Sequence, residues 1–239
     1  MNEEKTFAQK VIQFDENLSN ISIELPEGFK IINPFNGDKK ETVRKISTSF
    51  YKRFYNDRNN RRLILGSSPA RRGTAVTGVP FEDALHLQKE TGIIIDKFYI
   101  NKSSSGFLYE VIEKYGDCEK FYSDFYMNFV CPIGIVKTNS KGKNVNCNYY
   151  DNKKLQETLY SLIINSIKSQ INFGIDTSVC YCIGSGKNYD FMTKINNKYH
   201  FFKKIIPLEH PRFIMQYNSK HKDEFLKKYL EALNADLNK

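Results

Sequence analysis

Apolar and polar positions along the chain follow two periods. Over 40–56, KETVRKISTSFYKRFYN, the residues Val43, Ile46, Phe50 and Phe54 recur at helical spacing, with Lys and Arg on the other side. Residues 3–18 carry a weaker version of that pattern. Four short apolar runs, rich in β-branched and aromatic residues, read instead as buried strands: Arg62–Gly66, Phe125–Cys131, Ser178–Ile183 and Phe201–Leu208. Gly, Ser or Pro closes the first three, and Glu209-His210-Pro211 follows the fourth. Helical patterns lie between them at 82–91, 105–115, 153–173 and 186–196, with a last one at 219–234. The long one is the clearest, with a stripe of Leu155, Leu159, Leu162, Ile163, Ile167 and Ile171.

Strands alternating with helices predict an α/β fold. Its sheet is parallel and four-stranded, with right-handed crossovers and helices on both faces, a three-layer α/β/α arrangement. The chain shows no internal repeat or linker, so a single domain over 1–239 is expected, with 1–35 as a peripheral helix and lead-in. In such sheets the cleft lies beyond the carboxyl ends of the strands. That rule selects the loops 66–81, 128–134, 184–188 and 209–217 as neighbours.

Composition narrows the partners. The 239 residues carry 36 Lys+Arg against 27 Asp+Glu, a net charge of +9, with 14% aromatic residues. A basic, aromatic chain suits a nucleic acid, although lysine-rich usage alone produces the same balance. No apolar run approaches the roughly 20 residues of a membrane span, and MNEEKTFAQK has no apolar signal core, so a cytoplasmic protein is expected. Cys118, Cys131, Cys147, Cys180 and Cys182 read as reduced thiols, and no Cys/His spacing suits zinc, so neither metal nor cofactor is expected.

The first loop is Gly66-Ser67-Ser68-Pro69-Ala70-Arg71-Arg72-Gly73, continuing to Phe81. Its small residues let the backbone approach a ligand, its arginines suit phosphates, and Phe81 offers a ring face. An ordinary surface loop with a core Phe fits the same residues. In the second loop, Asn128 inside an apolar strand needs a partner for its amide. That partner is either the edge of a base or a neighbouring loop. The third, Gly184-Ser185-Gly186-Lys187-Asn188, lacks the first Gly and the Ser/Thr of a phosphate loop and reads as a tight strand-to-helix turn. In the fourth, His210 beside Arg212 is either a structural histidine or one placed to stabilise a developing anion.

The stretch GSSPARRGTAVTGVPF, with Asn128 ahead of Cys131-Pro132 and with His210-Pro211, resembles the ordered motifs of the uracil-DNA glycosylase superfamily. NPFNG, FLYEVI, GSGKN and PLEHPRFIMQY are similar to a bacterial branch of the single-strand-selective monofunctional enzymes, across roughly residues 30–235. The resemblance implies a DNA repair hydrolase that excises a flipped-out uracil or other deaminated base, acts as a monomer and works near the nucleoid. On this view Gly66 and Ala70 lie against the base, Phe81 stacks on it, and Asn128 binds its polar edge. His210 stabilises charge at its O2. Arg71 and Arg72 contact phosphates. Arg212, Phe213 and Tyr217 are candidates to fill the gap left in the duplex. No Lys stands at a matched position, so no lyase step is implied.

One departure bears on activity. Ser68 stands where the family carries its water-activating Asn, and Ala70 where it carries Gly. GSSPA is nearer the GLAPA form of a branch that recruits an Asp after the Pro-Phe pair, and here Glu82 and Asp83 follow Phe81. Ser68, Asp83 or neither holds the water, and the two acids also suit a helix start. The alternatives are a glycosylase-like DNA-binding protein with weak catalysis, and an unrelated enzyme acting on a nucleotide.

Overall fold

The computed structural model describes residues 4–71, 73–82, 84–94 and 102–235. Arg72 and Asp83 therefore lie outside the described residues.

The chain opens with helix α1 (Phe7–Ser19). A capping box starts it: Thr6 Oγ1 accepts from the Gln9 N–H, and Gln9 Oε1 accepts from the Thr6 N–H. Its stripe of Phe7, Ala8, Val11, Phe14 and Leu18 is buried. The helix is thus not peripheral: Phe7 packs edge-on against Tyr126 and Phe173, inside the main core. Strand β1 (Phe29–Ile32) and helix α2 (Lys40–Phe54) follow.

The central sheet begins with β2 (Arg61–Gly66), and the segment after it contains α3 (Thr74–Thr77), α4 (Ala84–Thr91), α5 (Lys102–Tyr115) and α6 (Cys118–Asp124). Strand β3 (Phe125–Phe129) pairs parallel to β2, with Gly66 opposite Phe129. Then come β4 (Gly134–Thr138), β5 (Asn144–Cys147) and α7 (Lys153–Ile171), the last capped by Asn152. Strand β6 (Ile175–Ile183) joins the other side of β2. Helix α8 (Lys187–Tyr199) returns the chain to β7 (Lys204–Leu208). Helices α9 (Pro211–Tyr217) and α10 (Lys222–Asn234) complete the fold.

The parallel sheet has the order β3-β2-β6-β7. Every residue of β3 and the last five of β6 are buried, so both faces of the sheet are covered. The fold is the expected three-layer α/β/α. The chain moves from β2 outward to β3, then from β6 outward to β7, which makes the crevice between β2 and β6 the topological switch point.

Three expectations need correction. A second, antiparallel sheet of order β1-β4-β5 is present, and its four- and five-residue strands carry too little pattern to be read in advance. The fourth strand begins at Lys204 rather than Phe201, because the Asn196 side chain binds both the N–H and the C=O of Phe202 at 2.9 Å. The segment after His210 is helical rather than a loop, since Pro211 sits in the first turn, where its fixed φ favours a helix.

Arg61, at the start of β2, is 1% exposed. All five of its N–H donors are used: two on the Asp57 carboxylate at 2.7 and 2.8 Å, and one each on the carbonyls of Tyr122, Asn59 and Phe54. The guanidinium also lies over the rings of Phe7 and Tyr55, at 4.7 and 4.8 Å. Its bonds hold the Asp57 carboxyl below the usual range, so that contribution is lost only in acid. Arg61→Leu strands three carbonyls and the carboxylate. It is expected to cost roughly 3–5 kcal/mol, measured as a fall in the urea midpoint at unchanged slope.

Candidate active site

Backbone bonds join the four loops in two pairs at the carboxyl ends of the strands. Val130 N–H donates to Gly66 O at 2.8 Å and Cys131 N–H to Ser67 O at 3.0 Å, which carries the β2–β3 pairing into the first two loops. Gly184 N–H donates to Leu208 O at 2.7 Å and ties the third loop to the fourth. In the third loop Gly184 has φ +102, and buried Asn188 donates to Ile183 O and accepts from the Tyr149 hydroxyl. This is a locked strand-to-helix turn.

Gly66 ends β2 beneath two rings. A Cβ there would come within 2.5 Å of Phe81 Cζ and 3.1 Å of the Phe129 ring. Only hydrogen fits, so the rings can close over the strand. Phe81 and Phe129 stack with centroids 5.0 Å apart and planes 27° apart. The backbone of Phe81 is left-handed (φ 64), a costly conformation for an aromatic residue. Two anchors hold it. Its N–H donates to Thr74 Oγ1 at 3.1 Å, and the next residue, Glu82, is sunk in the core, where its carboxylate accepts from the Tyr109 and Tyr122 hydroxyls. Glu82, one of the two acids after Phe81, therefore points into the protein.

Asn128 does not share this cluster. Alternation along β3 places it on the side of Tyr126, whose hydroxyl accepts from Asn128 Nδ2 at 2.6 Å. Its Oδ1 accepts from the Phe129 N–H at 2.9 Å, and the residue is 6% exposed. The ring beside Phe81 is that of Phe129, and two residues, Phe129 and Val130, stand between Asn128 and Cys131.

The first loop rests on the β4–β5 hairpin, which the sequence pattern had not revealed. Asn146 Oδ1 accepts from the Arg71 N–H at 3.0 Å. Asn148 Oδ1 accepts from Ser67 Oγ at 2.9 Å, and Ser68 Oγ lies 3.5 Å from it. Ala70 is exposed and its carbonyl accepts from Gly73 N–H, shaping the turn around Arg71. The signal for this support was present as the run Asn144-Val145-Asn146-Cys147-Asn148, but nothing local says where three asparagines point.

His210 caps α9. Its Nδ1 accepts from the Arg212 N–H at 3.1 Å, so the neutral ring carries its proton on Nε2. Desolvation first, then the charge of Arg212, lowers the imidazolium pKa to about 4. The residue as a whole is exposed, so water screens part of that desolvation; the direction of the shift and the tautomer stand. Arg212 Nε donates to Gln216 at 2.9 Å. Phe213 and Tyr217, one helical turn apart, are 47% and 74% exposed. Two strand spacings, roughly 10 Å in all, separate the ends of β2 and β7, and His210 lies two residues beyond the latter.

Removing the Asn128 amide would leave the Tyr126 hydroxyl and the Phe129 N–H without their partner inside the protein. Asn128→Ala is expected to lower stability by roughly 1–3 kcal/mol in denaturant titration. A variant as stable as the parent would mean that the amide is free for another task.

Comparisons with known proteins bear on the fold and the family. The family model described as the uracil DNA glycosylase superfamily matches residues 53–234. The crystal structure of wild-type SMUG2 from Pedobacter heparinus is 43% identical, covers 99% of this chain and 100% of its own, and superposes with a TM-score of 0.92. A search of curated proteins finds no match. With a parallel sheet whose strand ends assemble the Gly66 loop, the ring pair and His210, and with a family model spanning most of its length, the chain belongs to the uracil DNA glycosylase superfamily.

Proposed function

We propose that the protein is a monofunctional DNA glycosylase that hydrolyses the N-glycosidic bond of uracil or another deaminated base and leaves an abasic site. The observation that carries this reading is His210: a neutral imidazole, fixed as the Nε2–H tautomer by the Arg212 N–H, at the carboxyl end of β7. A neutral donor suits a leaving base that gains negative charge at O2, because the hydrogen bond strengthens as the charge builds.

The remaining parts follow from reach. A base inside a duplex is shielded, so its nucleotide must leave the stack, at a cost of a few kcal/mol. The exposed aromatic pair Phe213 and Tyr217, beside Arg212, suits the space vacated in the duplex. Phe81, half-buried and braced by Phe129, offers ring surface to the flipped base, while Gly66 and Ala70 keep the adjoining backbone slim. Arg71 and Arg72 serve the phosphates. As the C1′–N bond breaks, its electron pair leaves with the base. The oxygen of a water bonds to C1′, and the water's proton passes to solvent. Asp83 stays a candidate for holding that water, as does Ser68.

A second reading, a glycosylase-like DNA-binding protein with weak catalysis, is favoured by Ser68 itself. A hydroxyl with no base beside it positions water but is a poor proton acceptor.

The test uses end-labelled oligonucleotides carrying U, hypoxanthine, xanthine or 5-hydroxymethyluracil, single- and double-stranded, followed by alkali. Cleavage at uracil is expected, and His210→Leu should slow it by about 10²–10³-fold. Because the neutral imidazole is the active form and its pKa is lowered, the His210 contribution should persist through pH 6.5 and be lost only in more acid solution. Binding without cleavage on every substrate would select the second reading. Duplex affinity should fall with salt, each phosphate contact adding about −0.9 to the slope of log K against log salt. A flat response would remove the electrostatic footprint.

A further inference from the structure

A hydroxyl beside a water can donate to it or accept from it, and a free rotor does both. An attacking water must donate to its holder, so that a lone pair on its own oxygen faces C1′. Ser68 therefore serves only when its own proton is engaged elsewhere. The first loop has no His to engage it, and its described acid, Glu82, is turned into the core. The engaging group comes from 80 residues along the chain, where Asn148 Oδ1 faces two hydroxyl donors, Ser67 Oγ at 2.9 Å and Ser68 Oγ at 3.5 Å.

Asn148 is itself fixed. Its N–H donates to Asp151 Oδ2 at 2.8 Å, and its carbonyl accepts from the Asp151 N–H at 3.0 Å. The next residue, Tyr149, is buried and bonds Asn188 at 2.7 Å. The half-buried Asn148 side chain thus meets the first loop, while its neighbour Tyr149 ties the same segment to the third.

We propose that Asn148 is a positioning residue for base excision: its carbonyl takes the protons of Ser67 and Ser68, so that Ser68 Oγ presents lone pairs to the attacking water. The amide that the family carries at position 68 is replaced by a serine oriented from a different element. This inference rests on the glycosylase reading above. Asn148 touches neither substrate nor reacting atoms and acts through Ser68.

The experiment measures single-turnover excision of uracil by the full chain and by Asn148→Ala, Asn148→Asp, Ser68→Ala and the Asn148→Ala/Ser68→Ala pair. Melting temperature and affinity for undamaged duplex are followed alongside. Asn148→Ala is expected to slow excision at least tenfold with melting and affinity unchanged. Asn148→Asp, which keeps an acceptor for both hydroxyls, should restore the rate. The paired variant should be no slower than Ser68→Ala alone, because both changes remove one device. If Asn148→Ala does not fold, Asn148→Leu, which fills the volume without an acceptor, takes its place in the same comparison. Losses that multiply in the paired variant, an Asp variant as slow as the Ala variant, or an unchanged rate would each overturn the inference. An active parent chain with an unaffected Asn148→Ala overturns this inference alone, whereas a parent that excises nothing overturns the glycosylase reading with it.

Discussion

Strand β2 is fixed at both ends, and the site depends on that. At its start the buried guanidinium of Arg61 spends every donor on Asp57 and three carbonyls, between the rings of Phe7 and Tyr55. A buried charge so fully bonded tolerates no slip, because a shift of one residue would leave it unpaired. At its end Gly66 allows Phe81 and Phe129 to close over the chain. The four residues between these points have β3 on one side and β6 on the other, so they set the height at which the first loop leaves the sheet.

That loop is small-residue-rich and cannot hold its own shape. Its order is borrowed. Gly66 O and Ser67 O accept from the strand end beyond β3. Asn146 and Asn148 bind it from the hairpin, and Glu82 pins its far end to the tyrosines of α5 and α6. The left-handed Phe81 is what such over-determination permits, since a strained backbone persists only where its surroundings fix it. The second sheet thus has a function-related task, as the bracket that carries two asparagines to the site.

The two ends of the cleft are built on different principles. On the β2 side, apolar rings and close backbone make a flat, apolar surface. On the β7 side, a capping histidine makes a polar donor, with exposed aromatics one turn further along α9. The cap and the tautomer are one feature: the lone pair that Nδ1 gives to the helix end is the reason that the proton stands on Nε2.

The periodic parts of the fold were legible in the residues. The stripe of α7, the three buried strands and the half-exposed edge strand β7 are each written within 5–20 residues, because side-chain period is a local property. The positions of Gly66 and His210 at strand ends, and of Phe81 in the segment that follows β2, followed from the alternation of strands with helices. The partners of polar side chains did not follow. Asn128 has the composition of a base reader, and only the pleat of β3 and the hydroxyl of Tyr126 turn it inward. Glu82 has the place of a helix cap, and the two tyrosines draw it into the core. The hairpin that brings Asn148 to Ser68 leaves no periodic trace. A hydrogen bond between residues 80 apart is decided by how whole elements pack, and the sequence around either partner carries no record of the other.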